Sequence, residues 1–116
     1  MKTKILLIQP LSFFCKNADM ANTVPTQLLL LASNLKPFKD YDIKIINLAD
    51  EMHNPPESYE ELPRFYSELT QRLEQEEKMD IVGISSYNSN YYIPTLTIGW
   101  VIRETMPEAS ILVGGY

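Results

Sequence analysis

Ile5-Leu6-Leu7-Ile8, closed by Gln9-Pro10, is the stretch that decides the fold. An unbroken apolar run of this kind suits a central strand of a parallel sheet, buried on both faces. Taken as residues 4–9, it is followed by strand-like runs at residues 42–48, 80–86 and 110–114. Helix-like stretches separate them, giving the order β-α-β-α-β-α-β. That alternation predicts an α/β domain with a parallel, doubly wound sheet and helices on both faces. Such sheets bind ligands outside the carboxyl ends of their strands. The unusual residues of this chain fall there, in the loops after the first, third and fourth strands.

The intervening segments carry helix signals. Asn22 or Thr23 can cap a first helix, with Pro25 near its first turn, where a missing N–H costs nothing. Leu28 to Leu31, Ala32 and Leu35 give it a broad apolar face, and Pro37 stops it. The second strand partly alternates, which suggests an edge or near-edge position. A polar connection with Pro55-Pro56 leads to a second helix near Leu62. Leu62, Phe65, Tyr66, Leu69 and Leu73 form its amphipathic stripe and are read as core. The third helix is expected over residues 92–105, with Pro94 in its first turn and Met106-Pro107 closing it.

Composition narrows the function classes. The 116 residues make one domain at most, and the 45% apolar content is that of a globular chain. A net charge of −5 argues against nucleic acid, which needs a basic face, and against an anionic membrane surface. The acids of residues 57–80 read as a solvated helix face. The N-terminal apolar run is too short for a signal segment, and no run reaches bilayer-spanning length. A lone cysteine excludes an internal disulfide and fits a reducing cytoplasm.

Several chemistries lack their residues. The turn after the first strand, Gln9-Pro10-Leu11-Ser12-Phe13-Phe14, has no glycine for a phosphate cradle or a dinucleotide fingerprint. The strand ends at Gln9 and Ser85 lack the clustered carboxylates of a phospho-acceptor. Cys15 and His53 are too few for a structural zinc site, and no nucleophile elbow appears. What remains is Ser85-Ser86-Tyr87-Asn88-Ser89-Asn90, whose hydroxyls and amides can grip a polar ligand. A turn with a helix N-cap uses the same residue types. Gly114-Gly115 would let backbone lie against a ligand, or simply turn the chain.

Read in order, five motifs resemble one family. They are Ile5-Leu6-Leu7-Ile8-Gln9-Pro10, Thr23-Val24-Pro25, Ile43-Lys44-Ile45-Ile46-Asn47-Leu48, Asp80-Ile81-Val82-Gly83-Ile84-Ser85 and Ile111-Leu112-Val113-Gly114-Gly115. Together they resemble the N-terminal cobalamin-binding domain of cobalamin-dependent radical S-adenosylmethionine enzymes. The resemblance implies a flavodoxin-like, Rossmann-like sheet of order 2-1-3-4 with a fifth strand still to come, so that 1–116 is an incomplete domain. The cofactor-binding set it implies is Gln9, Pro10, Ser85, Ser86, Tyr87, Ser89, Gly114 and Gly115. Ser85, Gly114 and Gly115 would line the slot for the nucleotide tail of cobalamin, with Ser89 at a second small polar position. Tyr87 stands where the family has leucine.

The loop after the first strand carries no histidine, so cobalamin would bind without a histidine lower ligand. His53 follows another strand. Phe13, Phe14 and Met20 would cover the macrocycle, and Cys15 would approach the cobalt, unless this loop makes only ordinary apolar contacts. The three-cysteine signature of the radical domain is missing. The iron-sulfur cluster and S-adenosylmethionine would therefore belong to a parent enzyme, which performs methyl transfer or related radical chemistry. The chain itself would not be catalytic. The alternative is a cofactor-free α/β sensor or protein-interaction module. A bare fourth-strand edge would favour self-association.

Overall fold

The computed structural model describes residues 2–11, 13, 26–38, 40–52, 55–86 and 92–114. Four strands form a single parallel sheet: β1 (Thr3–Gln9), β2 (Tyr41–Asn47), β3 (Ile81–Ser85) and β4 (Ser110–Gly114), in the order β2-β1-β3-β4. The helices are α1 (Thr26–Leu35), a single turn α2 (Leu48–Glu51), α3 (Leu62–Glu74) and α4 (Tyr92–Thr105). A 3-10 turn at Tyr59–Glu61 leads into α3. This is the doubly wound α/β fold with the flavodoxin-like strand order.

β1 is central, as its apolar run requires. Its residues alternate between the two faces of the sheet. Leu6 and Ile8 join Val82 and Ile84 beneath Phe65 and Leu69 of α3 and Ile98 and Ile102 of α4. Ile5 and Leu7 turn the other way, where Leu28, Ala32 and Leu35 of α1 pack beside Ile43, Ile45 and Ile81. Burying each large apolar side chain of these layers contributes roughly 1.5–3 kcal/mol.

The division of helices between faces follows from topology. The connection from β1 to β2 runs one way across the sheet, and those from β2 to β3 and from β3 to β4 run the other way. Parallel crossovers share one hand, so opposite directions place their helices on opposite faces. α3 and α4 therefore cover one face together, whereas α1 stands alone on the other, over β1 and β2. Among the described residues no helix covers the apolar surface of β3 and β4 on that side, with Leu112 60% exposed.

Two local readings of the sequence are corrected. The second strand stops at Asn47, and Leu48 opens α2 instead of ending the strand. The Asn47 side chain accepts a hydrogen bond from the Ala49 N–H at 3.2 Å and starts the helix turn, while Leu48 is buried in the α3/α4 layer. The third strand ends at Ser85, although the Ser86 N–H still donates to Gly114 O at 2.6 Å.

Charged groups fasten α3. Arg72 reaches Glu51 at 2.8 Å and Glu76 at 2.7 Å, and Lys44 reaches Glu76 at 2.7 Å. Burial works against the Glu76 charge, but the hydrogen bonds from Lys44 and Arg72 win and hold its carboxyl below the usual range. Among the described residues, no helix is long and apolar enough to cross a membrane.

Candidate functional site

The open half of the α1 face is a groove of about 470 Å3. Leu28, Leu31 and Leu35 of α1 form one wall, Leu7 and Gly83 the floor, and Leu112 the far side. At the carboxyl edge of the sheet it reaches Ser85 and Gly114. Such a volume is within the range of small-molecule sites. None of the described residues that line it is charged, so it suits a neutral, largely apolar group.

Strand alternation brings the polar end together. Ser85 pairs in register with Gly114, and Gln9 follows the Ile8–Ile84 pair. Gln9 shares the α1-side face with Ile5 and Leu7, Ser85 shares it with Ile81 and Gly83, and Gly114 shares it with Leu112. Gln9 and Ser85 are the buried polar side chains among the described residues, at 2% and 5% exposure. Burying polar groups is costly unless they are hydrogen-bonded, so their placement together at a strand terminus marks this end.

The glycines behave differently from one another. A Cβ built on Gly114 would meet nothing within 4 Å. Packing does not demand glycine there, and a side chain would project into the open end of the groove. A Cβ on Gly83 would stand 3.0 Å from Leu7 Cδ2, so the floor is already in tight contact.

Of the residues singled out in the sequence, Ser85 and Gly114 line the groove. Gln9 and Pro10 are buried next to it without forming its wall, and Ser86 adjoins it through the bond to Gly114. Tyr87, Ser89 and Gly115 lie outside the described residues, as do Phe14, Cys15, Met20 and His53. Phe13 follows the reading of this loop as ordinary apolar contact: it is buried in the α3/α4 layer, edge-to-face on Phe65 with ring centroids 4.7 Å apart. An apolar ring gains more from that dry contact than from the surface.

Sequence reasoning missed Gly83 and the leucines of α1 as groove residues. Gly83 sits inside an apolar strand run, where glycine is a signal for close approach.

A shallower groove lies between α3 and α4 on the opposite face, lined by Leu62, Pro63, Tyr66, Leu96, Thr97 and Trp100. Burial of the Tyr66 hydroxyl, with Glu104 nearby, pushes that group up to about 12. Among the described residues the buried hydroxyls of Tyr66 and Thr95 have no partner within good hydrogen-bond geometry. Among the described residues, no cluster of His, Cys, Asp and Glu could hold a metal ion.

Comparison with family models, curated proteins and solved structures finds no match to this chain.

Proposed function

We propose that this chain is a cobalamin-binding module, working within a radical S-adenosylmethionine enzyme that performs methyl transfer or related radical chemistry. The observation that carries the reading is the groove that opens at Ser85 and Gly114, the residues to which the family resemblance assigns the nucleotide tail. The residues fit that group. Among its described lining residues the groove is uncharged and mostly apolar, with Ser85 and Gly114 at its mouth and Gly83 packed against Leu7 in its floor.

In this reading Ser85 and Ser86 hold the polar part of the tail by hydrogen bonds, Gly114 keeps the entrance open, and α1 excludes water from the tail. When bound, cobalamin supplies the group-transfer chemistry of its cobalt, and the protein supplies binding and orientation. The only histidine of the sequence is His53, so the loop after β1 supplies no histidine to the metal. The iron-sulfur cluster and S-adenosylmethionine belong to the parent enzyme's radical domain. A lone cysteine suits a reducing, cytoplasmic setting.

Titration of the chain with hydroxocobalamin, followed by absorbance and calorimetry, tests the reading. Saturable binding that Ser85→Tyr abolishes is expected. Absence of binding to the chain, and to a version extended at its C-terminus, would sink it.

A second reading rests on β4. Among the described residues this strand pairs with β3 alone, and Leu112 and Val113 are 60% and 57% exposed. Open edges recruit strands from other chains, so an interaction module that self-associates through β4 is the alternative. Light scattering after size exclusion that shows monomer at all concentrations counts against it.

A further inference from the structure

We infer that the groove between α3 and α4 docks a basic amphipathic helix of a partner protein. The groove lies on the face opposite the proposed cofactor groove, and its occupant does not depend on that reading.

α4 carries more apolar surface than its place in the fold uses. Ile98, Val101 and Ile102 are buried in the α3/α4 layer, and a helix on a sheet needs one such apolar stripe. Tyr92, Leu96 and Trp100 form a second one at i, i+4 and i+8, exposed by 64%, 55% and 65%. α3 is built otherwise. Phe65, Leu69 and Leu73 are its buried face, while Arg64 on its surface pairs with Glu61 and Glu68. A helix apolar on both sides belongs between two layers, not at a surface. Leu96 and Trp100 also line the groove of about 520 Å3, together with Leu62, Pro63 and Tyr66 of α3. The stripe runs about 12 Å along α4, two turns of a partner helix. Such a helix docks by apolar anchors at i, i+3, i+4 and i+7.

Charge decides the occupant. Over residues 57–74 and 92–108 carboxylates outnumber guanidiniums seven to three, and no lysine is present. Trp100 Nε1 donates to Glu104 Oε1 at 3.1 Å, which holds a carboxylate beside the groove. Among the described residues no cation pairs with Glu104. Neighbouring Arg103 donates instead to the carbonyls of Pro107 and Ala109. A lysine or arginine of the partner can therefore meet Glu104 and lie over the Trp100 ring. A second copy of this chain, or an anionic membrane, would bring like charge to the same place.

Trp100 is the only tryptophan of the sequence, so its fluorescence reports on the groove. The probe is a helical peptide of about 14 leucines and lysines, with leucine at i, i+3, i+4 and i+7, titrated into the full chain. A saturable blue shift of Trp100 is expected. Leu96→Gln should weaken the peptide about ten-fold or more, and Glu104→Gln about three-fold. Phe38→Gln should change nothing, since this exposed ring lines neither groove. The same peptide with glutamate in place of lysine should not bind. Amide shifts of the unaltered chain at saturation should fall on residues 62–66 and 92–104, a readout that needs no variant.

Absence of a shift with the lysine peptide overturns the inference, as does equal binding of the two peptides or full affinity in Leu96→Gln. A blue shift on concentrating the chain alone also overturns it and makes the occupant a second copy. One produced by phosphatidylcholine vesicles without peptide overturns it in favour of a lipid surface.

Discussion

The pairing of Phe13 with Phe65 separates two accounts of the loop after β1. Phe65 is fully buried, Phe13 nearly so, and the rings meet at 4.7 Å with an interplanar angle of 73°. Replacing either ring by leucine keeps the site apolar and removes the ring–ring contact. Each single variant, Phe13→Leu or Phe65→Leu, should lose about 1–2 kcal/mol through imperfect repacking. The double variant should lose less than the sum, by the edge-to-face energy of about 0.5–1.5 kcal/mol. Urea denaturation followed by far-UV circular dichroism measures all four proteins, with equal m-values as the check that the unfolded states match. Additivity within about 0.3 kcal/mol would refute the contact. It would also return Phe13 to the ligand side, where its loss should weaken cobalamin binding instead of the fold.

Glu76→Gln should destabilise the chain by roughly 1–2 kcal/mol near neutral pH, the figure kept small because Lys44 is half exposed. The folded carboxyl lies below its ordinary value of 4.5, so its contribution is complete above that pH and is lost as pH falls through the lower folded value. The variant should lack that part of the acid transition in denaturation midpoints measured across pH. Tyr66 is the alkaline counterpart. Its folded value of about 12 exceeds the ordinary 10.0, so stability is complete below the ordinary value and falls as pH rises from there through the folded one. Tyr66→Phe should be near neutral or stabilising at pH 7 and should remove that alkaline loss, since a buried hydroxyl without a partner in good hydrogen-bond geometry among the described residues disappears. Gly99 lies within α4, where an added Cβ meets nothing within 4 Å, and Gly99→Ala should raise stability by about 0.5–1 kcal/mol in a thermal melt.

The periodic parts of the chain were legible in its sequence. Ile5 to Ile8 announced a strand buried on both sides, and the stripe of Phe65, Leu69 and Leu73 became the buried face of α3. Both signals arise from burial, which period-2 and period-3.6 patterns report directly. The end of β2 was less legible. Leu48 is as apolar as a strand residue, and only the Asn47 cap diverts it into a helix turn.

The polar end of the candidate groove was legible, since Ser85 and Gly114 lie at strand termini, the edge where sheets of this kind bind ligands. Its apolar walls were not. Leu28, Leu31 and Leu112 look like core residues in a sequence, and only the crossover directions leave the β3/β4 half of that face without a helix among the described residues. The destination of Phe13 was equally hidden, because an aromatic ring in a loop carries no periodicity to say which side it will join.

The measurement that tests the central claim most directly is amide chemical-shift mapping of the labelled chain during titration with hydroxocobalamin. The account expects shifts to concentrate at Gly83, Ser85, Ser86 and Gly114 and along α1, with little change in the α3/α4 groove around Tyr66 and Trp100. Shifts centred on that opposite groove, or none at saturating ligand, would contradict it.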